Sequence, residues 1–293
     1  MKLICCTLVF SAFIVSSLVS KWLALDASSA KHKARAIHLT QRCARILLWV
    51  IGIKIELTGS LPADLRGCLV VSNHQSYLDI LVLVAHFPVQ FVAKREVAAW
   101  PIIGWMAQLA GTLFVDRDSL RQSFRCADEI AAALAQGINV LVFPEGTSTN
   151  GSQVLPFKPM LLNAALTAHA PVLPLTLNYI ARNEQPLTEE TRAHCCWYGE
   201  IEFVSHFWRV LACQQITVAL EIHPMFSASQ AITAHELARL AHEKVARRFT
   251  APPSTTSTTE VLDAPEELLL GALLLSLINY ETDYLKENQY GEA

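Results

Sequence analysis

With 293 residues, 52% of them hydrophobic and only 17% charged, the chain is poor in charge beside the roughly 25% of an ordinary soluble domain. Its mean hydropathy of +0.33 points to membrane contact, and its length to one large domain with appendages. The net charge of −3 is uneven: eight acidic residues and one lysine lie from Pro252 onward, which leaves a mildly basic body and no basic run of the kind that binds nucleic acid.

The first element is apolar. Residues 3–20 carry no charge and, extended through Leu25, reach the length of a membrane-crossing helix. A cleaved signal peptide ending near Ala27-Ser28-Ser29-Ala30 competes, but an uncleaved anchor is the expectation. Lys2 alone precedes the segment, whereas Lys21, Lys31, Lys33, Arg35, Arg42 and Arg45 follow it, so the positive-inside bias keeps the following chain in the cytoplasm. Residues 37–53 then read as an amphipathic helix, either lying in the membrane interface with Trp49 at headgroup depth or packed on the domain.

Strand and helix patterns interleave from there. Strands are expected at 53–59, 68–72, 89–93, 112–115, 139–143, 171–178 and 216–222. Helices are expected from Ser76 or Tyr77, over 120–136 with a stop at Gly137, over 158–169 and over 234–249. This is an α/β pattern: a mixed, mostly parallel sheet covered by helices, with membrane-associated helices at its N-terminus. The expected organisation is an anchor and interfacial helix over 1–53, a catalytic domain over 54–250, and a linker with an acidic tail over 251–293. Pro252-Pro253-Ser254 and the Ser/Thr run after it form the linker. The eight cysteines include no C-x-x-C pair and two adjacent pairs, poor spacing for zinc. Free thiols in a reducing compartment are expected, and neither a metal nor a bound cofactor.

The chemistry gathers at strand ends. In Asn73-His74-Gln75-Ser76-Tyr77-Leu78-Asp79, His74 falls on the loop after an apolar strand and Asp79 one helical turn later. Such a carboxylate can orient an imidazole and stabilise its protonated form, which makes His74 a candidate general base toward a hydroxyl. A capping serine with an acidic first turn is the plainer reading of the same residues.

Three further segments follow at strand ends: Gly111-Thr112-Leu113-Phe114-Val115-Asp116-Arg117, Phe143-Pro144-Glu145-Gly146-Thr147-Ser148 and Val172-Leu173-Pro174-Leu175. In this order and spacing the four blocks resemble those of the glycerolipid acyltransferase family, the lysophosphatidate-acyltransferase-like group, over about residues 40–225. The resemblance implies transfer of an acyl group from acyl-CoA or acyl carrier protein to a lysolipid hydroxyl, with His74 as base and Asp79 orienting it. It implies an acceptor site with Arg117 as anchor for a phosphate, Gly146 and Thr147 in a turn at the head group, and Lys94, Gly111 and Phe114 nearby. Glu145, which a phosphate would repel, is expected to position Arg117 or a hydroxyl, and Pro174 to end a strand near the donor. The acceptor expected is 1-acyl-sn-glycerol-3-phosphate, giving phosphatidate. Two departures pull toward lyso-ornithine lipid or another lysophospholipid: Ser148 stands where many lysophosphatidate acyltransferases carry arginine, and Val154-Leu155-Pro156-Phe157-Lys158 with Trp197 to Trp208 resembles the lyso-ornithine subgroup. Met160 also stands where many relatives have glycine. A non-catalytic lipid-binding protein and a thioesterase are the readings of other classes, and the chain has no G-x-S-x-G elbow for the latter.

Overall fold

A computed structural model describes residues 1–23, 29–117 and 119–251, all within one compact unit. The apolar stretch expected in the tail at 268–278 lies outside the described residues.

Two helices open the chain, α1 (Lys2–Leu23) and α2 (Ser29–Ile51), packed on each other. Then come β1 (Ile53–Thr58), β2 (Leu69–Ser72), α3 (Leu78–His86), β3 (Val89–Lys94), α4 (Ile103–Leu109), β4 (Leu113–Val115), α5 (Leu120–Ala135) and β5 (Asn139–Val142). The remainder is α6 (Asn163–Thr167), β6 (Pro171–Arg182), β7 (Gln185–Pro186), α7 (Phe203–Ala212), β8 (Ile216–Ile222), β9 (Phe226–Ser227) and α8 (Ala234–Ala246). The strands form one sheet in the order β1-β8-β6-β2-β5-β3-β4, with β7 and β9 added to β6. All pairings are parallel except those of β6 with β7, β8 and β9.

The central strands read as unbroken apolar runs because helices cover both their faces. Side chains alternate across the sheet. Val70, Leu141 and Leu173 join the core under α2 and α3, while Leu69, Val71, Val140 and Val142 join the one under α5, α6 and α8. Local chemistry sets the helix limits. Ser119 caps α5 by accepting from the Gln122 amide at 3.3 Å, and Gly137, at φ 78°, turns the chain out of it.

Three expectations change. The helix expected at 158–169 shrinks to Asn163–Thr167 because the Lys158 amide bonds the Pro144 carbonyl at 2.8 Å instead of starting a turn. Pro174 ends no strand; it lies inside β6, at the gap where β9 has stopped pairing after Val172 and β8 starts at Leu175. It is still paired with Val71 of β2, and its carbonyl accepts the His223 amide at 3.1 Å, so the proline keeps its place in the sheet where β8 and β9 leave a break. Finally, the helices α4 and α7 have no counterpart in the sequence pattern.

α2 buries Ala44, Leu47, Leu48 and Ile51 on the domain and leaves Trp49 80% exposed. The start of α1 is held on the body as well. Lys2 Nζ donates to the carbonyls of Ile51 at 2.6 Å and Cys213 at 2.5 Å, oxygens at the C-terminal ends of α2 and α7.

Candidate active site

Parallel register builds the site. β2, β3, β4 and β5 point the same way, so the loops leaving them open on one rim of the sheet. His74 leaves β2, Glu145-Gly146-Thr147 leaves the adjacent β5, Lys94 ends β3, and Arg117 follows β4. β6 runs beyond the end of β2, since β8 continues to pair it, and so offers backbone and side chains to the His74 loop.

That loop is tied at every turn. Asn73 donates its Nδ2 to the Leu177 carbonyl at 2.9 Å and accepts the Leu177 amide at 2.8 Å; Gln75 Nε2 reaches the same carbonyl at 2.8 Å. Asp79, fully buried, receives four donors. His74 Nδ1 lies 2.8 Å from its Oδ2, which also accepts the amides of Gln75 (2.6 Å) and Ser76 (2.9 Å), while Tyr179 donates its hydroxyl to Oδ1 at 2.6 Å. A carboxylate oxygen already used as an acceptor fixes the proton on Nδ1 and leaves the Nε2 lone pair as the basic atom. The imidazole stacks on Phe143 at 4.0 Å between ring centroids, which removes its remaining rotational freedom.

His74 borders a cavity of about 620 Å³. Lys94, Glu96, Arg117, Thr147 and Ser148 also line it, and most of the remainder is apolar, from Phe10 and Phe13 of α1 through Leu47 of α2 to Met106 of α4 and Trp197 and Phe203. The charged and polar lining residues follow β3, β4 and β5, on the rim that holds His74, and the remainder suits a hydrocarbon chain.

The family profile of the acyltransferases matches residues 53–178. Over 197 residues the chain is 30% identical to the 1-acyl-sn-glycerol-3-phosphate acyltransferase of Neisseria gonorrhoeae, covering 67% of this chain and 74% of that one. Over 234 residues it is 33% identical to the lyso-ornithine lipid O-acyltransferase of Pseudomonas aeruginosa, covering 79% and 84%. The chain belongs to the acyltransferase family. The crystal structure of the 1-acyl-sn-glycerophosphate acyltransferase of Thermotoga maritima shares its fold, with a TM-score of 0.57 at 22% identity over 84% of this chain and 95% of that one.

In this acyltransferase the residues named from sequence divide in two. His74, Lys94, Arg117 and Thr147 border the cavity; Asp79, Glu145, Gly146, Gly111, Phe114 and Pro174 do not. Gly111 sits in the turn before β4, its carbonyl held by Gln90 Nε2, and Phe114 pairs with Ala93 in the sheet, so both shape the strand that delivers Arg117. The neighbouring Asp116 is bridged by Arg95 at 3.3 Å. Asp118 lies outside the described residues. Arg117 instead donates to the Gly146 carbonyl; burial pulls its guanidinium below the ordinary value, and the Glu96 carboxylate acts the other way. Lys94 pairs with Glu96 at 2.8 Å.

Glu145 does not position Arg117 or a hydroxyl. Its two oxygens take the amides of His74 (2.7 Å) and Leu155 (2.8 Å), so it is a buried clamp on the backbone of the candidate base. The Gly146 amide is likewise used inside the turn, on the Phe143 carbonyl at 3.1 Å. Tyr179 was not legible as a site residue, although a tyrosine inside the apolar run 172–180 signals a hydroxyl in need of a partner. Burial raises the Cys68 thiol to about 12 and the Cys126 thiol to about 11, which makes both poor nucleophiles.

Burial pushes the Glu145 carboxyl up to about 7, against the two amides that favour its ionised form. A carboxyl raised on folding holds its proton more tightly in the native state than in the unfolded chain. Folding stability therefore falls as pH rises from the ordinary value of 4.5 to about 7, and is level above that. Glu145→Gln is expected to remove this slope from thermal unfolding curves. Its amide can accept only one of the two N–H groups, so it should also cost kcat about tenfold, an unmatched buried donor being worth about 1–3 kcal/mol.

Proposed function

We propose that the protein transfers a fatty acyl group from a thioester, acyl-CoA or acyl carrier protein, to the hydroxyl of a lysolipid at a membrane. The observation that carries this is the 2.8 Å His74–Asp79 pair on the charged and polar rim of a largely apolar cavity. In this reading Nε2 takes the acceptor's hydroxyl proton as the oxygen attacks the thioester carbonyl. The tetrahedral adduct collapses with cleavage of the C–S bond, and the imidazolium returns the proton to the departing thiolate. Asp79 holds the tautomer and stabilises the cation without taking the proton. No serine acyl-enzyme is needed, because alcohol and thioester meet in one complex.

The acceptor we favour is 1-acyl-sn-glycerol-3-phosphate, the substrate named for the Neisseria relative, with its phosphate toward Arg117. A second acceptor, lyso-ornithine lipid, is favoured by Ser148, which puts a hydroxyl rather than a cation on the cavity wall. Relatives from Pseudomonas aeruginosa and Rhodobacter capsulatus carry that name.

The membrane contact is best supported as insertion from one side. α1 has the length and hydropathy of a span, and Ile4, Leu8, Val15 and Trp22 are exposed along it. Because Lys2 is bonded to the body, this replaces the expected crossing with Lys2 on the far side. Labelled acyl-CoA, a panel of lysolipids and product identification by mass test the whole reading. Phosphatidate from lysophosphatidate is the expected product, and transfer of the label only to water would sink it in favour of a thioesterase. A cysteine introduced at position 2 should be labelled from the same side as one at position 35; opposite sides would restore the crossing helix.

A further inference from the structure

One buried charge has no part in the function as stated. Arg192, on a short helical turn (Thr191–His194) beyond β7, is only 3% exposed, yet no carboxylate bonds it among the described residues. Its Nη1 donates to the Asn150 carbonyl, and its Nε–H has no acceptor among those residues. Taking a guanidinium out of water is costly unless it is fully paired, so an apolar side chain of similar volume would serve stability at least as well. What the arginine supplies is placement.

The carbonyl it holds belongs to the turn that holds the base. Thr149 donates its amide to the His74 carbonyl at 3.0 Å and its hydroxyl to the same oxygen at 3.2 Å. That hydroxyl oxygen accepts the Gly151 amide at 3.1 Å, which closes the turn. Gly151, at φ 68°, is the point of closest approach: a methyl group there would overlap Gln75 Oε1 and stand 3.1 Å from Arg192 Nη1. The arginine's own segment also reaches the His74 loop directly. The amides of Cys195 and Cys196 bond the Arg192 carbonyl at 2.8 and 2.7 Å, and the next amide, of Trp197, bonds the Gln75 carbonyl at 2.8 Å. Backbone that Arg192 ties together therefore takes the carbonyls of both His74 and Gln75, while Glu145 takes the His74 amide.

We infer that Arg192 is a positioning residue for acyl transfer. Through the 149–151 turn and the Trp197 amide it fixes the backbone of His74 and Gln75, and with it the reach of Nε2 to the acceptor hydroxyl. It does not line the cavity, and it lies beyond the residues that match the family profile. The inference rests on His74 acting as base in the proposed reaction. A base displaced by about 1 Å can lose about 10²-fold in rate, so tethers on its backbone act on kcat rather than on binding.

The test is steady-state kinetics of the full-length protein in detergent micelles, beside thermal unfolding. Acyl-CoA is the donor, and lysophosphatidate and lyso-ornithine lipid are the acceptors. Arg192→Met should lower kcat about 10- to 100-fold, with both KM values within about twofold and the unfolding midpoint little changed. Arg192→Lys, which keeps the charge and one donor on a shorter side chain, should narrow the loss to about threefold. In a His74→Ala background Arg192→Met should cost nothing more, because a residue that acts through the base has nothing left to place. A kcat for Arg192→Met within about twofold of wild type overturns the inference, as does a loss confined to KM or one that persists in full without His74. Should Arg192→Met not fold, Arg192→Lys decides: a kcat loss present with His74 and absent without it sustains the inference, and an unchanged kcat overturns it. A wild type inactive on both acceptors overturns the lysolipid reading and this role with it, whereas an active wild type with an indifferent Arg192→Met overturns this role alone.

Discussion

His74→Ala is expected to lower kcat by about 10²–10⁴, with acceptor and donor KM changed little, because in the proposed mechanism only the step that moves the proton loses its base. The stability effect should be small. The imidazole is partly exposed to the cavity and gives the fold one side-chain hydrogen bond and one ring stack, whereas the loop is held mainly by Asn73, Gln75 and the backbone amides. On the proposed membrane contact through α1, association should survive intact, since the substitution touches neither α1 nor α2. Single-turnover kinetics beside a flotation assay separate the two. Near-normal turnover in the variant would remove the general-base mechanism, and loss of both activity and flotation would make the residue structural.

Asp79→Asn is the second large effect and differs in kind. Four donors converge on a fully buried carboxylate. An asparagine presents an NH₂ group to some of them, which either repels the Gln75 and Ser76 amides or turns the imidazole so that Nε2 carries the proton. We expect kcat to fall by about 10³–10⁴, as loss of the orienting carboxylate does in a histidine-based triad. Stability should fall by about 1–3 kcal/mol for each donor left unmatched. The His74→Ala/Asp79→Asn double variant should be about as slow as His74→Ala alone, because a carboxylate that acts through the imidazole has nothing to act on once it is gone. Additive losses in that cycle would give Asp79 an independent role.

Much of the fold was readable along the chain. Strand β8 falls on the expected 216–222 and β1, β3 and β5 within a residue at each end, because apolar runs between turn residues are local signals. The helix α5 was marked by its apolar period and the glycine after it. What escaped was set by distant partners. Residues 155–158 form a non-helical strap because Glu145 and Pro144 take the amides of Leu155 and Lys158, and α7 packs near the loop through His206, 3.1 Å from the Tyr77 hydroxyl. The role of Glu145 was misread for the same reason: a carboxylate beside a glycine turn looks like a ligand contact until its two amide donors, from residues 74 and 155, are seen.

The sequence by itself determined the chemistry available to this protein: a histidine and a carboxylate one helical turn apart at a strand end, cations at later strand ends, and an apolar N-terminus. Those features are local, and a strand-loop-helix segment carries them wherever it sits. Only the tertiary structure decided which of them meet. Parallel register brought the ends of β2, β3, β4 and β5 to one rim, and the extra length of β6 delivered Tyr179 to Asp79 across 100 residues of chain. Burial then turned Glu145 inward to clamp a backbone and set the strap against the 144–146 turn, because buried amides must find acceptors and the nearest ones belonged to residues far away in sequence.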